Sequence, residues 1–277
     1  MSKVSAADVK ALRDRTGLPF KDCSAALAET NGDIEKAVEY LRTKNVGLQD
    51  KFSSREAGEG RIGVFIDPTT KNAAIVEVRC ETAPVTKNDA FQAMVTEIAQ
   101  VAANSAVTTV EQLNGEKLLS DPKLTVQGKV AELIGLIREN MRVARFARVN
   151  GTVGSYVHHD GTLGVLVVVE GTPTDPQVLK DVCMHIAFKN PIAALRDQVP
   201  AAVVEKEREI AKAQAAATGK PAQLQEKIAE GKVQAFLKDN VLNEQPFVKD
   251  ESVTIAELLA KHGVKLVGFV RFKVGEA

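Results

Sequence analysis

The stretch RIGVFIDPTTKNAAIVEVRC, residues 61–80, decides the fold. Residues 61–66 and 73–80 are rich in β-branched side chains, and Asp67-Pro68-Thr69-Thr70 between them is a turn signal, so the stretch reads as two paired strands. A helical pattern over about 88–103 follows. The same order returns downstream, with strands over 151–157 and 163–169, a connection from His158 to Thr162, and a helix over about 176–189. The expected fold class is therefore α+β, built on two related strand-strand-helix units. Between them Val130, Leu133, Ile134, Ile137, Met141 and Ala144 recur at offsets 0, 3, 4, 7, 11 and 14, which predicts one long amphipathic helix bridging the units. Arg138, Arg142, Arg145 and Arg148 would form a stripe along it.

Working outward, the N-terminal segment reads as three short helices. Ser5, with Asp8 three residues on, caps a helix carrying Val9 and Leu12, and Gly17-Leu18-Pro19 stops it. A second runs from Phe20 to about Glu29 with Cys23, Ala26 and Leu27 inward, and Asn31-Gly32-Asp33 opens a third carrying Ile34, Val38 and Leu41. From Thr43 to about Gly60 the apolar period decays, which predicts a partly helical tether. These signals set a helical head at 1–52, a linker at 53–60, a first core unit with the bridging helix at 61–149 and a second at 150–277. Within the second, Ala-, Glu-, Lys- and Gln-rich segments flank Gly219-Lys220-Pro221 and predict a projecting antiparallel helical hairpin over about 201–238, seamed by Val203, Ile210 and Ala217. Thr254-Ile255-Ala256-Glu257 is a capping box for a short helix, and 265–274 alternates as a last strand returning to the second sheet.

Composition removes several function classes. With 277 residues, 44% hydrophobic and 26% charged, the chain belongs among folded globular proteins. Thirty-six Lys+Arg balance thirty-six Asp+Glu, so the general electrostatic pull toward nucleic acid or anionic membrane is missing. The longest aliphatic run, 165–169, falls far short of the roughly 20 residues of a membrane span, and the first twenty residues lack a signal peptide's apolar stretch. Cys23, Cys80 and Cys183 are odd in number and without a C-x-x-C spacing, which predicts buried thiols in a reducing cytoplasm rather than a disulfide frame or zinc set.

No phosphate-cradling, hydrolase or zinc-protease signature is present, so no enzyme activity, cofactor or metal is expected. His158-His159 reads as one exposed contact residue, because neighbours in extended chain diverge. The arginine stripe reads as a solvated or carboxylate-facing surface, since 4% aromatics and no Trp leave few platforms for base stacking. Pro84 sits where strand gives way to helix and predicts a rigid, exposed loop of small residues that adds little to the core. On residue physics alone the chain is a multi-point protein-binding scaffold.

Ordered blocks then sharpen that reading. They are Arg15-Thr16-Gly17, Asp22-Cys23 with Ala26-Leu27, Asn31-Gly32-Asp33-Ile34-Glu35, Val76-Glu77-Val78 leading to Cys80 and Thr82, Phe91-Gln92-Ala93 and Gly154-Ser155-Tyr156. Gly219-Lys220-Pro221, Gln245-Pro246-Phe247-Val248 and Gly268-Phe269-Val270-Arg271-Phe272 continue the series. On these the sequence resembles the bacterial elongation factor Ts family from about Ser5 to Val274. The resemblance implies a ubiquitin-associated-like head, two similar core subdomains and a coiled-coil arm. It also implies a guanine-nucleotide exchange factor that binds elongation factor Tu, GDP-bound and nucleotide-free, and promotes GDP release so that GTP can reload during translation elongation. Neither direct nucleic-acid contact nor a membrane belongs to that role.

By match to the family's contacts, Arg13, Phe20 and Lys21 grip the partner's G domain. Ile137, Arg138, His158, Val248 and Lys249 fall at the second-subdomain contacts, and Thr82-Ala83-Pro84-Val85 at the element that displaces the partner's magnesium. The sequence departs from the family at Ala83 and Pro84, where Asp and Phe are common, at Arg138 for Gly, at Ser24 for Lys and at Lys249 for Met. Many relatives also continue past Val-Gly-Glu into another helix. The rival expectation is an adaptor or scaffold whose head binds a ubiquitin-like or peptide partner.

Overall fold

In the computed structural model, which describes residues 4–276, the deciding stretch sorts its side chains between two cores. Strand β1 (Glu59–Ile66) pairs antiparallel with β2 (Asn72–Cys80), and Asp67 Oδ1 closes the turn by accepting from the Thr69 and Thr70 amides at 2.7 and 2.9 Å. Ala74, Val76, Val78 and Cys80 of β2 face a helical layer, whereas Ala73 and Ile75 face a second sheet. Burial on both faces is why the strand reads as a nearly continuous apolar run. A single helical turn, α4 (Ala83–Thr86), leads into α5 (Asp89–Asn104), which lays Phe91, Met94, Val95 and Ile98 on the first face. Helices α6 (Val110–Gly115) and α7 (Val126–Ile137) complete that layer.

The expected bridging helix is corrected here. Helix α7 stops at Ile137, and Arg138 turns the chain into a strand, β3 (Met141–Asn150), so that the first sheet has the order β1-β2-β3. Arg138 holds φ 67° and ψ 29°, the left-handed C-cap conformation normally given to glycine, which costs a side chain about 1 kcal/mol. With Arg in the place of the usual stop signal, Met141 and Ala144 keep helical spacing across the break by coincidence. The arginines accordingly form no helical stripe. Arg145 pairs with Glu77 at 2.6 Å, and Arg148 donates to the Ala103 carbonyl at 3.4 Å.

Strands β4 (Thr152–Val157), β5 (Leu163–Glu170) and, from the C-terminal end, β8 (Lys265–Lys273) form the second sheet in the order β4-β5-β8. Val165, Val167 and Val169 face α8 (Gln177–Lys189) and α11 (Ile255–Lys261), while Leu166 turns the other way to meet Ile62, Ile75 and Phe272. The two sheets thus share an interior, with helices outside each. Among the described residues Glu77, 1% exposed, is the fully buried charge in it: it accepts from Arg79 and Arg145 at 2.6 Å each and from the Gly275 amide at 3.2 Å, the pairing that makes a buried carboxylate tolerable. A two-stranded ribbon, β6 (Pro246–Phe247) with β7 (Asp250–Thr254), sits beside α8, and the Thr254–Glu257 capping box opens α11.

At the N-terminus α1 (Ala6–Thr16) carries the Ser5–Asp8 capping box, and α2 (Phe20–Glu29) and α3 (Ile34–Phe52) close a small core around Leu12, Leu27 and Leu41. Of the partly helical tether expected from Thr43 to about Gly60, residues 43–52 are the second half of α3, which packs along α7, where no core contact was expected. Arg42 pairs with Glu132 and Asp121 at 3.2 and 3.3 Å, Asn45 is buried against Gly135, and Phe52 enters the core of the first sheet. At Gly135 a Cβ would lie 2.5 Å from Asn45 Oδ1, so glycine is what allows the approach. The hairpin α9 (Ala201–Ala216) and α10 (Ala222–Asn240) forms, but with a different seam. Val204, Ala211 and Ala215 meet Ala229, Val233 and Leu237, whereas Val203, Ile210 and Ala217 face solvent. Alanines let the helices come close, and that outweighs the size of the outward aliphatics.

Candidate partner-binding surfaces

The tetrapeptide at 82–85 is a helical turn with a buried heel. Thr82, Ala83 and Pro84 are exposed, while Val85 and Thr86 are buried, which corrects the expectation of a loop that adds little to the core. Proline suits this place because the first turn of a helix has no partner for its N–H. Glu139 clamps the apex: the Thr82 amide donates to Oε2 at 3.0 Å and the Thr82 hydroxyl to Oε1 at 2.6 Å. At the far side Thr86 donates to the Ala83 carbonyl at 2.7 Å, and its own carbonyl accepts from Gln92 at 3.2 Å. The Cys80 thiol beneath donates to the Thr82 carbonyl at 3.5 Å; burial first, and the Glu139 charge second, push its pKa up to about 12. Burial does the same to Cys183, also to about 12, so neither is a thiolate at neutral pH.

On the head, Arg13 lies exposed on α1, and Phe20 and Lys21 open α2, with Phe20 57% exposed. A large aromatic left in water next to Lys21 in sequence is the pattern of an interaction surface.

The five residues expected at one second surface separate into two places. Ile137 is half-buried against the core of the first sheet, and Arg138 reaches the head, where its Nη2 meets Asp22 Oδ2 at 2.5 Å. Their contacts are with the first sheet's core and with the head. The other three flank α8. The Val248 amide donates to His185 Nδ1 at 3.2 Å, so the protonated Nε2 donates to Gln245 Oε1 at 2.9 Å, and Lys249 meets Asp181 at 3.0 Å. Desolvation holds His185 below its ordinary pKa, Lys189 adding to the effect and the Gln245 bond opposing it.

His158, in the turn after β4, faces the C-terminal part of α8 across a groove, its Nδ1 3.0 Å from Asp160. Burial opposes ionisation of Asp160, but the Thr162 amide and hydroxyl and His158 outweigh it and hold the carboxyl at about 2. The chain at 158–161 is a tight turn, so the two histidine rings do not diverge as expected: their centroids are 4.2 Å apart. His158, Tyr156, Met184 and Ala187 line a groove of about 390 Å³ rimmed by Phe188, which is 73% exposed. Sequence reasoning missed Phe188. Its signal is that it falls off the inward face of α8, which is Val178, Leu179, Val182, Cys183 and Ile186. Among the described residues no group of three or more His, Cys, Asp and Glu is placed to hold a metal, and no helix is long and apolar enough to cross a membrane.

Comparison with known proteins bears on these surfaces. A family model described as Elongation factor TS matches residues 81–276, a span that begins at the clamped turn and includes the hairpin and the second sheet. An Elongation factor Ts of Methylococcus capsulatus is 44% identical over 277 residues, covering 99% of this chain and 92% of that protein. One from Halothermothrix orenii is 40% identical, covering 99% and 93%, and one from Clostridium botulinum is 41% identical over the same shares. These full-length matches take in the head as well.

Proposed function

The chain belongs to the elongation factor Ts family of translation elongation factors, and from that premise we propose that it binds elongation factor Tu and drives nucleotide exchange on it. It engages the GDP-bound form, loosens GDP by disturbing the magnesium site, and holds the nucleotide-free form until GTP enters. Such a factor needs no bond chemistry. It must only bind the nucleotide-free partner more tightly than the loaded one, and by linkage GDP and the factor then weaken each other equally. The setting is the cytoplasm, and neither nucleic acid nor membrane takes part.

The observation that carries this reading is the clamped turn. An exposed Thr82-Ala83-Pro84 apex, fixed by Glu139 on one side and by buried Val85 on the other, is a stiff edge that keeps its shape when pressed against a partner. It has no aromatic to wedge between helices, so backbone shape and the fixed ring of Pro84 carry the push. Phe20 on the head and Phe188 beside His158 supply the exposed aromatics that anchor the complex on either side. The finer architecture belongs to the same reading, with a ubiquitin-associated-like head and two related strand-strand-helix halves, supported by the shared order of β1-β2-α5 and β4-β5-α8.

Release of labelled GDP from the cognate elongation factor Tu, with and without this protein, tests the proposal. Acceleration by substoichiometric amounts is expected. An unchanged rate at every concentration would refute exchange, and binding of a ubiquitin-like or peptide partner in its place would favour the adaptor alternative.

A further inference from the structure

We propose that Arg138-Glu139-Asn140, the connection between α7 and β3, is a coupling junction that holds the head and the 82–86 turn in one preset relation. Three consecutive residues each tie down a different part of the molecule. Arg138 reaches Asp22 of α2 at 2.5 Å, one residue from Lys21 and two from Phe20. Glu139 takes both bonds from Thr82. Asn140, 2% exposed, donates its amide to Glu81 Oε1 at 2.6 Å and its side chain to the Arg55 carbonyl at 2.7 Å, which pins the segment after α3. Arg55 closes the ring by pairing with Glu81 at 3.4 Å and donating to the Arg138 carbonyl at 3.5 Å.

The backbone of Arg138 strengthens the case. A glycine would hold φ 67° freely, whereas arginine holds it against a steric penalty, so the side chain's contact with Asp22 is what offsets the conformation. Asp22 is itself fixed from a second side by Lys44 of α3 at 3.6 Å. Beside the packing of α3 along α7, the head therefore also meets the body at the connection that clamps the turn, and Arg138 and Glu139 are positioning residues rather than contacts with the partner.

The functional consequence rests on the exchange reading above. A head held in place presents its grip already oriented, which saves ordering entropy on binding. A clamped turn resists being pushed back. Arg138→Gly removes the latch while relieving the backbone, so it is expected to leave the thermal midpoint unchanged or raised. It should raise the protein concentration for half-maximal GDP release about tenfold, the scale of one charged hydrogen bond, with the maximal rate intact. Glu139→Ala should instead lower the maximal rate about tenfold, and Glu139→Gln, which still accepts from the Thr82 amide, should restore most of it.

A second readout needs no partner. Spin labels on Ala28→Cys and Lys87→Cys, both exposed positions, report the distance between head and turn, and the native thiols are buried. The wild-type background should give one narrow distance distribution and Arg138→Gly a broad one. An equally narrow distribution in Arg138→Gly, or an unchanged half-maximal concentration, would overturn the junction. Failure of the wild-type protein to release GDP would instead overturn the exchange reading, and the distance measurement would still decide the junction.

Discussion

The head and the hairpin are both helical projections with small cores of their own, yet one is docked and the other stands free. The head's α3 lies along α7 through Arg42, Asn45 and Phe52, and Arg138 returns the contact to α2. The hairpin packs on itself through Ala211, Ala215 and Ala229 and is fixed at its base, where Arg196 binds Glu244 and Gln245 donates to the Asp239 carbonyl at 2.6 Å. Docking here follows from ion pairs, one missing Cβ and the single ring of Phe52, rather than from a continuous apolar stripe. That is why a tether and a projecting arm look alike in sequence.

The largest effect that could break this contrast is at Phe52. Phe52→Ala should cost about 3 kcal/mol in urea denaturation, because the ring fills the first sheet's core beneath Arg55, whose guanidinium lies 3.8 Å from it. A loss below about 1 kcal/mol, the range of an exposed position, would return the end of α3 to a tether. Next come paired glycines. Gly135→Ala should destabilise by about 2 kcal/mol by forcing α3 off α7. Gly231→Ala on α10, with nothing within 4 Å, should stabilise by about 0.5–1 kcal/mol through helix propensity. Equal signs would mean that the two projections are held alike.

The smallest effect is one of pH. Folding lowers the His185 pKa from its ordinary 6.5, so the native state holds a neutral ring and the unfolded chain takes up the proton. This stability is fully present above about 6.5 and drains as pH falls through the folded value. Since Gln245 links His185 to Asp239 of α10, acid should loosen the hairpin's base and the Val248 region before the head. Hydrogen exchange between pH 7.5 and 5.5 checks the order, and His185→Gln should remove it.

Much of the fold was legible because its signals are local. The capping residues Ser5, Asp33 and Thr254 act where they were read, and the four strands of the two hairpins lie within two residues of their expected bounds. What escaped is what depends on partners distant in sequence. Arg138 hides a helix stop because a side chain 116 positions away offsets its backbone. The hairpin seam lies one position from the large residues because alanine, not size, sets helix separation. In the site, the family match singled out Thr82, Pro84 and Phe20, all of which are exposed, whereas Glu139 and Phe188 were invisible, the first because its partner is 57 positions away, the second because it lies off the inward spacing.

The central claim is that the clamped turn, through the shape set by Pro84, drives exchange. Stopped-flow release of fluorescent GDP from elongation factor Tu across a magnesium titration, for wild type and Pro84→Gly, tests it most directly. Wild type should accelerate release most at high magnesium. Pro84→Gly should be about tenfold slower there, equivalent to about 1.4 kcal/mol of the barrier, with its own stability changed by less than about 1 kcal/mol. Once magnesium is chelated the two should coincide. Identical rates and identical magnesium dependence would contradict the account and move the exchange function to the surface around His158 and Phe188.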